Sequence, residues 1–69
     1  MFISNLRVLM AHKKLNINNV VEMTGLSQPT VSKLFNGDSD EIKTIKLETI
    51  ASICKAMECT ISDLIEYIP

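Results

Sequence analysis

TGLSQPTVSKLFNG, residues 24–37, contains both glycines of the chain. Glycine readily adopts the left-handed backbone conformation that ends many helices, so Gly25 and Gly37 predict helix ends on either side of a short helix. At 100° per residue, the apolar side chains of that helix share one face, namely Val31, Leu34 and Phe35. The opposite face carries Pro29, Ser32, Lys33 and Asn36, with Gln28 at the N-terminal tip. The pattern predicts a helix over about residues 28–36 that buries one face and leaves hydrogen-bonding side chains free.

A second local pattern predicts where three helices begin. In each case an apolar residue precedes a capping residue, and another apolar residue follows the cap by four positions, as in a hydrophobic staple. The three sets are Leu15, Asn16 and Val20; Leu26, Ser27 and Val31; and Cys59, Thr60 and Leu64. They predict helix starts near residues 17, 28 and 61. Only residues 25–27 separate the second helix, about 17–24, from the third, and so short a turn predicts the sharp crossing of a helix-turn-helix.

Periodic apolar residues predict two further helices. The first helix of the chain contains Ile3, Leu6, Leu9 and Met10. The fourth helix of the chain contains Leu47, Ile50, Ile53, Cys54 and Met57. No segment alternates long enough to indicate a strand, and residues 38–45 are interpreted as a loop. The predicted fold class is all-α, a compact five-helix domain that covers residues 1–69.

The composition and length exclude several classes of protein. A chain of 69 residues is long enough for one domain. It has no apolar run of about 18 residues and no signal-peptide pattern, so we expect a cytoplasmic protein that does not enter a membrane. Two cysteines and one histidine are too few for a tetrahedral zinc site or a disulfide framework. We therefore expect no metal and no cofactor, and no small-molecule ligand is evident.

Neither of two other candidate sites has the residues that its chemistry requires. The acidic segment of residues 38–41 lacks the third ligand, the central glycine and the closing glutamate of a calcium loop. His12 has no serine or cysteine nucleophile placed near it in a recognisable pattern. The chain is not expected to be an enzyme.

Charge is divided unevenly along the chain. The net charge of −1 by itself argues weakly against nucleic acid as a partner. Residues 1–37, however, hold four basic side chains against Glu22 alone, a net charge of +3, whereas residues 38–69 hold three lysines against seven acidic side chains, a net charge of −4. The helix over residues 28–36 therefore lies in the cationic half.

The free face of that helix has an unusual composition. Glutamine, serine, lysine and asparagine can donate to or accept from base edges and phosphates, whereas a plain surface helix usually carries glutamate and lysine. Considered without the turn, this composition is explained equally well by a helix face that is simply exposed to solvent. Together with the helix-turn-helix geometry, the composition favours a helix that reads DNA.

The sequence resembles the Cro and phage-repressor (XRE-type) helix-turn-helix regulators over nearly its whole length. The segments that carry the resemblance are LRVLMAHKKLN (6–16), NNVVEMTGLSQPTVSKLFNG (18–37) and LETIASICKAMECTISDLIEY (47–67). The resemblance implies a lambda-repressor-like DNA-binding fold whose third helix enters the major groove of double-stranded DNA. It implies base-reading roles for Gln28, Pro29, Ser32 and Lys33. The expected phosphate contacts are Asn16, Ile17, Asn18, Thr30, Asn36, Lys43 and Lys46.

The sequence also departs from the pattern of this family. Ile17 replaces the usual glutamine, and the segment after Gly37 is longer and acidic, which is why Lys43 and Lys46 are expected to take over phosphate contacts. Relatives often pair an arginine with a glutamate at the positions of Met10 and Phe35. Replacing both partners of a buried ion pair with apolar side chains can be neutral or stabilising. We therefore expect Met10 and Phe35 to touch in the core.

Two functions remain open from the sequence. The first is a transcriptional regulator, a small repressor that binds a palindromic operator as a homodimer. The second is a protein-interaction or antitoxin-like module with secondary DNA binding. The C-terminal tail has more apolar residues than one helix face needs, and the expected dimer interface is Ile61, Leu64, Ile65, Tyr67 and Ile68. Alternatively, Tyr67 and Ile68 fold back on the first helix.

Overall fold

The chain folds into six helices and one two-stranded sheet. The computed structural model describes residues 1–69. In chain order the elements are β1 (Phe2–Ser4), α1 (Leu6–Lys13), α2 (Ile17–Thr24), α3 (Gln28–Asn36), α4 (Ser39–Ile42), α5 (Leu47–Met57), α6 (Ile61–Leu64) and β2 (Ile65–Tyr67). The mostly helical fold confirms the predicted class, and the five predicted helices correspond to α1, α2, α3, α5 and α6. The longest helix, α5, has 11 residues, and none is long and apolar enough to cross a bilayer.

The predicted helix starts are confirmed at residues 17, 28 and 61. At α2, the Asn16 side chain accepts a hydrogen bond from the Asn19 backbone N–H (2.8 Å), and the Asn19 side chain accepts one from the Asn16 N–H (2.9 Å). Thr60 and Asp63 form the same reciprocal capping box at α6. Ser27 occupies the cap position of α3, but its hydroxyl bonds the Thr30 hydroxyl (2.8 Å) and not a backbone N–H.

The predicted ends of α2 and α3 are also confirmed. Gly25 has a φ of 73° and Gly37 a φ of 76°, both in the left-handed region where a Cβ is strained. Their N–H groups donate back to the carbonyls of Val21 (2.9 Å) and Lys33 (3.2 Å). These bonds end each helix sharply. The chain therefore turns after α2, and α3 begins at Gln28, after the three residues 25–27.

A single apolar core joins the helices. Its side chains are 8% exposed or less: Leu6, Met10, Val20, Val31, Leu34, Ile42, Ile50, Ile53, Cys54, Met57 and Leu64. They come from all six helices, and Val31 and Leu34 are the two contributed by α3. The core therefore holds α3 by its apolar face and leaves the opposite face at the surface.

The sheet was not predicted. Ile3 lies in β1 and not in the first helix, and β1 pairs antiparallel with β2 in the register Phe2–Tyr67, Ile3–Glu66 and Ser4–Ile65. The Phe2 and Tyr67 rings lie 5.2 Å apart between centroids. Strands of three residues are too short to show an alternating pattern, and their pairing joins the two ends of the chain.

The acidic segment after Gly37 is not a simple loop. The Asp38 side chain accepts from the Asp40 N–H (2.9 Å) and caps α4, a single helical turn. Ile42, at the end of that turn, is 4% exposed and lies in the core. One buried isoleucine thus anchors a segment whose other side chains are polar.

Candidate nucleic-acid interface

The outward face of α3 carries the side chains that were expected to read bases. Gln28, Pro29, Lys33 and Asn36 are exposed, and Ser32 is half-buried. On the inward face, Val31 and Leu34 are both 0% exposed. The helix therefore presents a polar surface that no other part of the chain covers, on a support that the core holds firmly.

The N-termini of α2 and α3 open onto one shallow depression. Its polar lining comes from Asn16, Asn18 and Gln28. Its apolar lining comes from Met10, Leu15, Ile17 and Phe35. Because the first N–H groups of a helix have no acceptor within the helix and lie at the positive end of its dipole, this site favours an anionic group such as a phosphate. The predicted phosphate contacts of α2 are thus next to the tip of α3.

Two residues at the start of α2 have more restricted roles than expected. The Asn16 side-chain oxygen already caps α2, so only its amide N–H groups are left to donate to a phosphate. Ile17 is half-buried against the core, and its side chain has no donor. The predicted phosphate contact of Ile17 can therefore be made only through its backbone N–H.

A second depression lies between α3 and the start of α5. It is lined by Thr30, Lys33, Thr44, Ile45, Lys46 and Thr49. Two ammonium groups and the hydroxyls of Thr30 and Thr49 surround it, and no carboxylate lines it. The Thr44 hydroxyl is already used, because it donates to the Glu41 carbonyl (2.7 Å). This set of donors suits a phosphate oxygen, and it places Thr30 and Lys46, two of the expected phosphate contacts, beside Lys33.

The remaining expected phosphate contacts differ in their freedom to act. The Lys43 ammonium lies 3.4 Å from a carboxylate oxygen of Asp40, and both side chains are well exposed. Such a surface pair is weak, so Lys43 can exchange Asp40 for a phosphate at little cost. Asn36 is exposed at the end of α3.

Arg7 is a further candidate that the sequence analysis did not single out. Its guanidinium carbon lies 4.6 Å from the centre of the Phe35 ring, a cation–π contact between α1 and α3. Arg7 also lines a depression together with Asn36. Arg7 therefore adds a cation at the C-terminal end of α3.

The expected core contact between Met10 and Phe35 is only partly buried. Met10 is 2% exposed and lines the first depression together with Phe35, but Phe35 is half-buried and not fully buried as expected.

The C-terminal tail differs from the expected dimer interface. Leu64 is 0% exposed in the core of its own chain, so it is not available to a partner. Ile65 is half-buried and pairs with Ser4, and the tail folds back on β1 and not on α1. Ile61, Tyr67 and Ile68 remain 52%, 64% and 44% exposed.

Comparison with known proteins identifies the family. The sequence profile of the Cro/C1-type helix-turn-helix DNA-binding domain matches residues 5–69. The chain belongs to this family. The α2–α3 pair of this Cro/C1-type domain has the helix-turn-helix arrangement that the resemblance in the sequence implied.

Two individual proteins are similar to this Cro/C1-type domain. An uncharacterised HTH-type transcriptional regulator of Bacillus subtilis (strain 168), YozG, is 37% identical over 65 residues, which cover 94% of this chain and 74% of the relative. The crystal structure of a candidate DNA-binding protein from Bacteroides fragilis superimposes with a TM-score of 0.76 at 20% identity, covering 96% of this chain and all of the other. The second likeness supports the fold.

The depression beside Lys33 leads to a prediction about Lys46. Replacing Lys46 with alanine should weaken binding to every DNA sequence and make the slope of log K against log salt shallower by about 1, because one phosphate-contacting cation is lost. Lys55→Ala is the matched control, since Lys55 is also an exposed lysine of the α5 region but lines a different depression, with Met23 and Ser52. Equal salt slopes for the two variants in a binding titration would contradict the phosphate role of Lys46.

Proposed function

We propose that the protein is a transcriptional repressor that binds a palindromic operator as a homodimer, with α3 of each copy in the major groove. The observation that carries the proposal is the two-sided character of α3. Val31 and Leu34 on its inward face are fully buried. Its outward face offers Gln28, Ser32 and Lys33 to base edges beside a depression lined by two lysines. Repression follows from occupancy, because a protein seated on an operator excludes other proteins from the same DNA.

In this proposal, one set of residues reads the bases and another contacts the phosphates. Gln28, Pro29, Ser32 and Lys33 face the bases. Asn16, Asn18, Thr30, Asn36, Lys43 and Lys46 hold the DNA backbone, with the Ile17 N–H as a further donor. This division matches the general rule that phosphate contacts position a protein and base contacts specify the sequence.

A dimer is part of the proposal because one short helix touches only a few base pairs, too few to select one site in a genome. Two copies related by a two-fold axis read a palindrome with half-sites about 34 Å apart. The exposed apolar side chains of the tail, Ile61, Tyr67 and Ile68, are the proposed contact. They form a small surface, so a dimer completed on DNA is expected.

The proposal includes no catalysis, cofactor or small-molecule ligand. Its partner is double-stranded DNA, and the protein is placed in the cytoplasm. A protein-interaction or antitoxin-like role on the same fold is the second candidate. It is supported by the net charge of −4 over residues 38–69, which could face a basic protein.

The first experiment is selection of bound sequences from a random DNA pool, followed by sedimentation on the selected duplex. We expect a palindromic site and two protein copies on each duplex. A duplex that keeps only one half-site is the control, and it should bind with far lower affinity. One protein copy on the full palindrome would contradict the dimer, whereas a pool that yields no preferred sequence would favour the protein-interaction role.

A further inference from the structure

The C-terminal end of α5 brings the two cysteines of the chain side by side. Glu58 has a φ of 54°, the left-handed conformation. The Cys59 N–H donates to the Cys54 carbonyl (3.0 Å), and the Glu58 N–H donates to the Lys55 carbonyl (3.4 Å). These two bonds define a Schellman motif, in which the side chains at the positions of Cys54 and Cys59 commonly pack on each other. The backbone therefore places one thiol over the other.

The end of α1 shows what this motif usually holds. Lys14 has a φ of 56°, and the Leu15 N–H donates to the Met10 carbonyl (2.9 Å). Met10 and Leu15 line the same depression, so the two positions are filled there by an ordinary apolar pair. At α5 the same two positions hold a pair of thiols, which can do chemistry that methionine and leucine cannot.

The two thiols differ in access. Cys54 is 8% exposed within the core, Cys59 is half-buried at its edge, and both are free. Burial raises the pKa of the Cys59 thiol to about 11, assisted by the neighbouring Cys54 and Asp63 and opposed by Lys13. Cys59 is therefore the thiol that a small reagent reaches first, and it reacts slowly at neutral pH because little of it is thiolate.

We propose that Cys54 and Cys59 are a reversible oxidation site, at which a hydroperoxide converts the two thiols into an intrachain disulfide. Cys59 attacks the peroxide oxygen, which leaves a sulfenic acid on Cys59 and releases an alcohol, or water from hydrogen peroxide. The Cys54 sulfur then attacks the Cys59 sulfur and displaces water. Two thiols are thus oxidised by two electrons, the peroxide is reduced, and a dithiol reductant reverses the change.

The location of the site connects it to the rest of the fold. Cys59 directly precedes Thr60, the cap of α6, and α6 continues into β2, which carries the exposed Tyr67. A disulfide between the two sulfurs would therefore link the last turn of α5 covalently to the residue that precedes the α6 cap. Any resulting change in dimerisation or DNA affinity rests on the proposed function, whereas the chemistry itself does not.

The experiment treats the reduced protein with hydrogen peroxide and follows it by thiol titration and intact mass under denaturing, non-reducing conditions. We expect both thiols to disappear together, the chain to stay monomeric, and dithiothreitol to restore the thiols. The mass should fall by two hydrogens, apart from oxygen that peroxide adds to the exposed Met1 and Met23. The reaction should be about 100-fold faster at pH 9 than at pH 7, because the thiolate fraction rises tenfold per pH unit below the pKa. A sulfinic or sulfonic acid on Cys59 with Cys54 still free would overturn the proposal, as would an intermolecular disulfide.

A pair of variants provides the control. Cys59→Ala removes the accessible thiol, and the buried Cys54 should then resist peroxide under conditions that oxidise the unaltered chain. Cys54→Ala should leave a Cys59 sulfenic acid that a 1,3-dione reagent traps. If Cys54 in the Cys59→Ala variant is oxidised as fast as in the unaltered chain, the assigned order of attack is wrong. These measurements use no DNA, so their failure is distinguishable from failure of the proposed function.

Discussion

Replacing Leu34 with alanine is expected to lower the free energy of unfolding by about 2–5 kcal/mol. Leu34 is 0% exposed, and it is one of the two side chains that fasten α3 to the core. Removing most of this side chain leaves a cavity in the core where α3 packs against α1, α2 and α4. A domain of this size is stable by only about 4–10 kcal/mol, so the variant should be partly unfolded near physiological temperature. Urea or thermal denaturation measures the loss.

Two neighbouring substitutions provide the comparison for Leu34. Lys33→Ala changes an exposed residue on the same helix, and its effect on the free energy of unfolding should stay within about 0.5 kcal/mol. Phe35→Ala should lie between the two and below the about 3–5 kcal/mol of a fully buried phenylalanine, because the ring is half-buried under Arg7. Equal stability of the Leu34→Ala and Lys33→Ala variants would show that α3 is not anchored through Leu34.

The helices were predictable because their signals are local. Asn16, Gly25, Gly37 and Thr60 act within a few residues of their own positions, and each begins or ends a helix in the structure. The sheet lacks such a signal, since Phe2 and Tyr67 lie at opposite ends of the chain and are paired only in the tertiary structure. The helical turn α4 was missed for a related reason, because a single apolar residue, Ile42, has no period.

The candidate interface was predictable to the same extent. The outward face of α3 follows from its own period, so Gln28, Ser32 and Lys33 could be read from the sequence. The position of Lys46 beside Lys33 depends on how residues 38–46 return α5 to α3, and the contact of Arg7 with Phe35 depends on how α1 crosses α3. Both are tertiary features. Leu64 was misplaced because its burial depends on the core that the other helices complete.

The acidic half of the chain is less opposed to DNA binding than its net charge suggests. Three of its seven carboxylates accept hydrogen bonds within the chain, as helix caps or from a side-chain amide, and are held in place by them. They are Asp38, Asp63 and Glu66. The depressions around α3, by contrast, are lined by lysine, threonine, asparagine and glutamine without a carboxylate. The local distribution of charge is therefore more informative than the total.

Replacing Gln28 with alanine is expected to remove discrimination of about 1–3 kcal/mol at one base pair of each half-site. Gln28 is exposed at the tip of α3, and its amide can donate and accept together, which matches the N6 and N7 groups of adenine. Since glutamine is uncharged, the salt slope should not change. Lys46→Ala should show the opposite behaviour, with a shallower salt slope and unchanged base preference. Competition among single-base variants of the selected operator measures both quantities.

Gln28→Glu tests the same contact without removing the side chain. The glutamate keeps the length of the glutamine but can only accept, so it should reject adenine and favour a base pair that presents the N4 amino group of cytosine. A changed preference at one position, with the others retained, would assign that base pair to Gln28. If Gln28→Ala, Gln28→Glu and Lys33→Ala all keep the original preference at every position, then α3 does not read the operator, and its polar face is only a solvated surface.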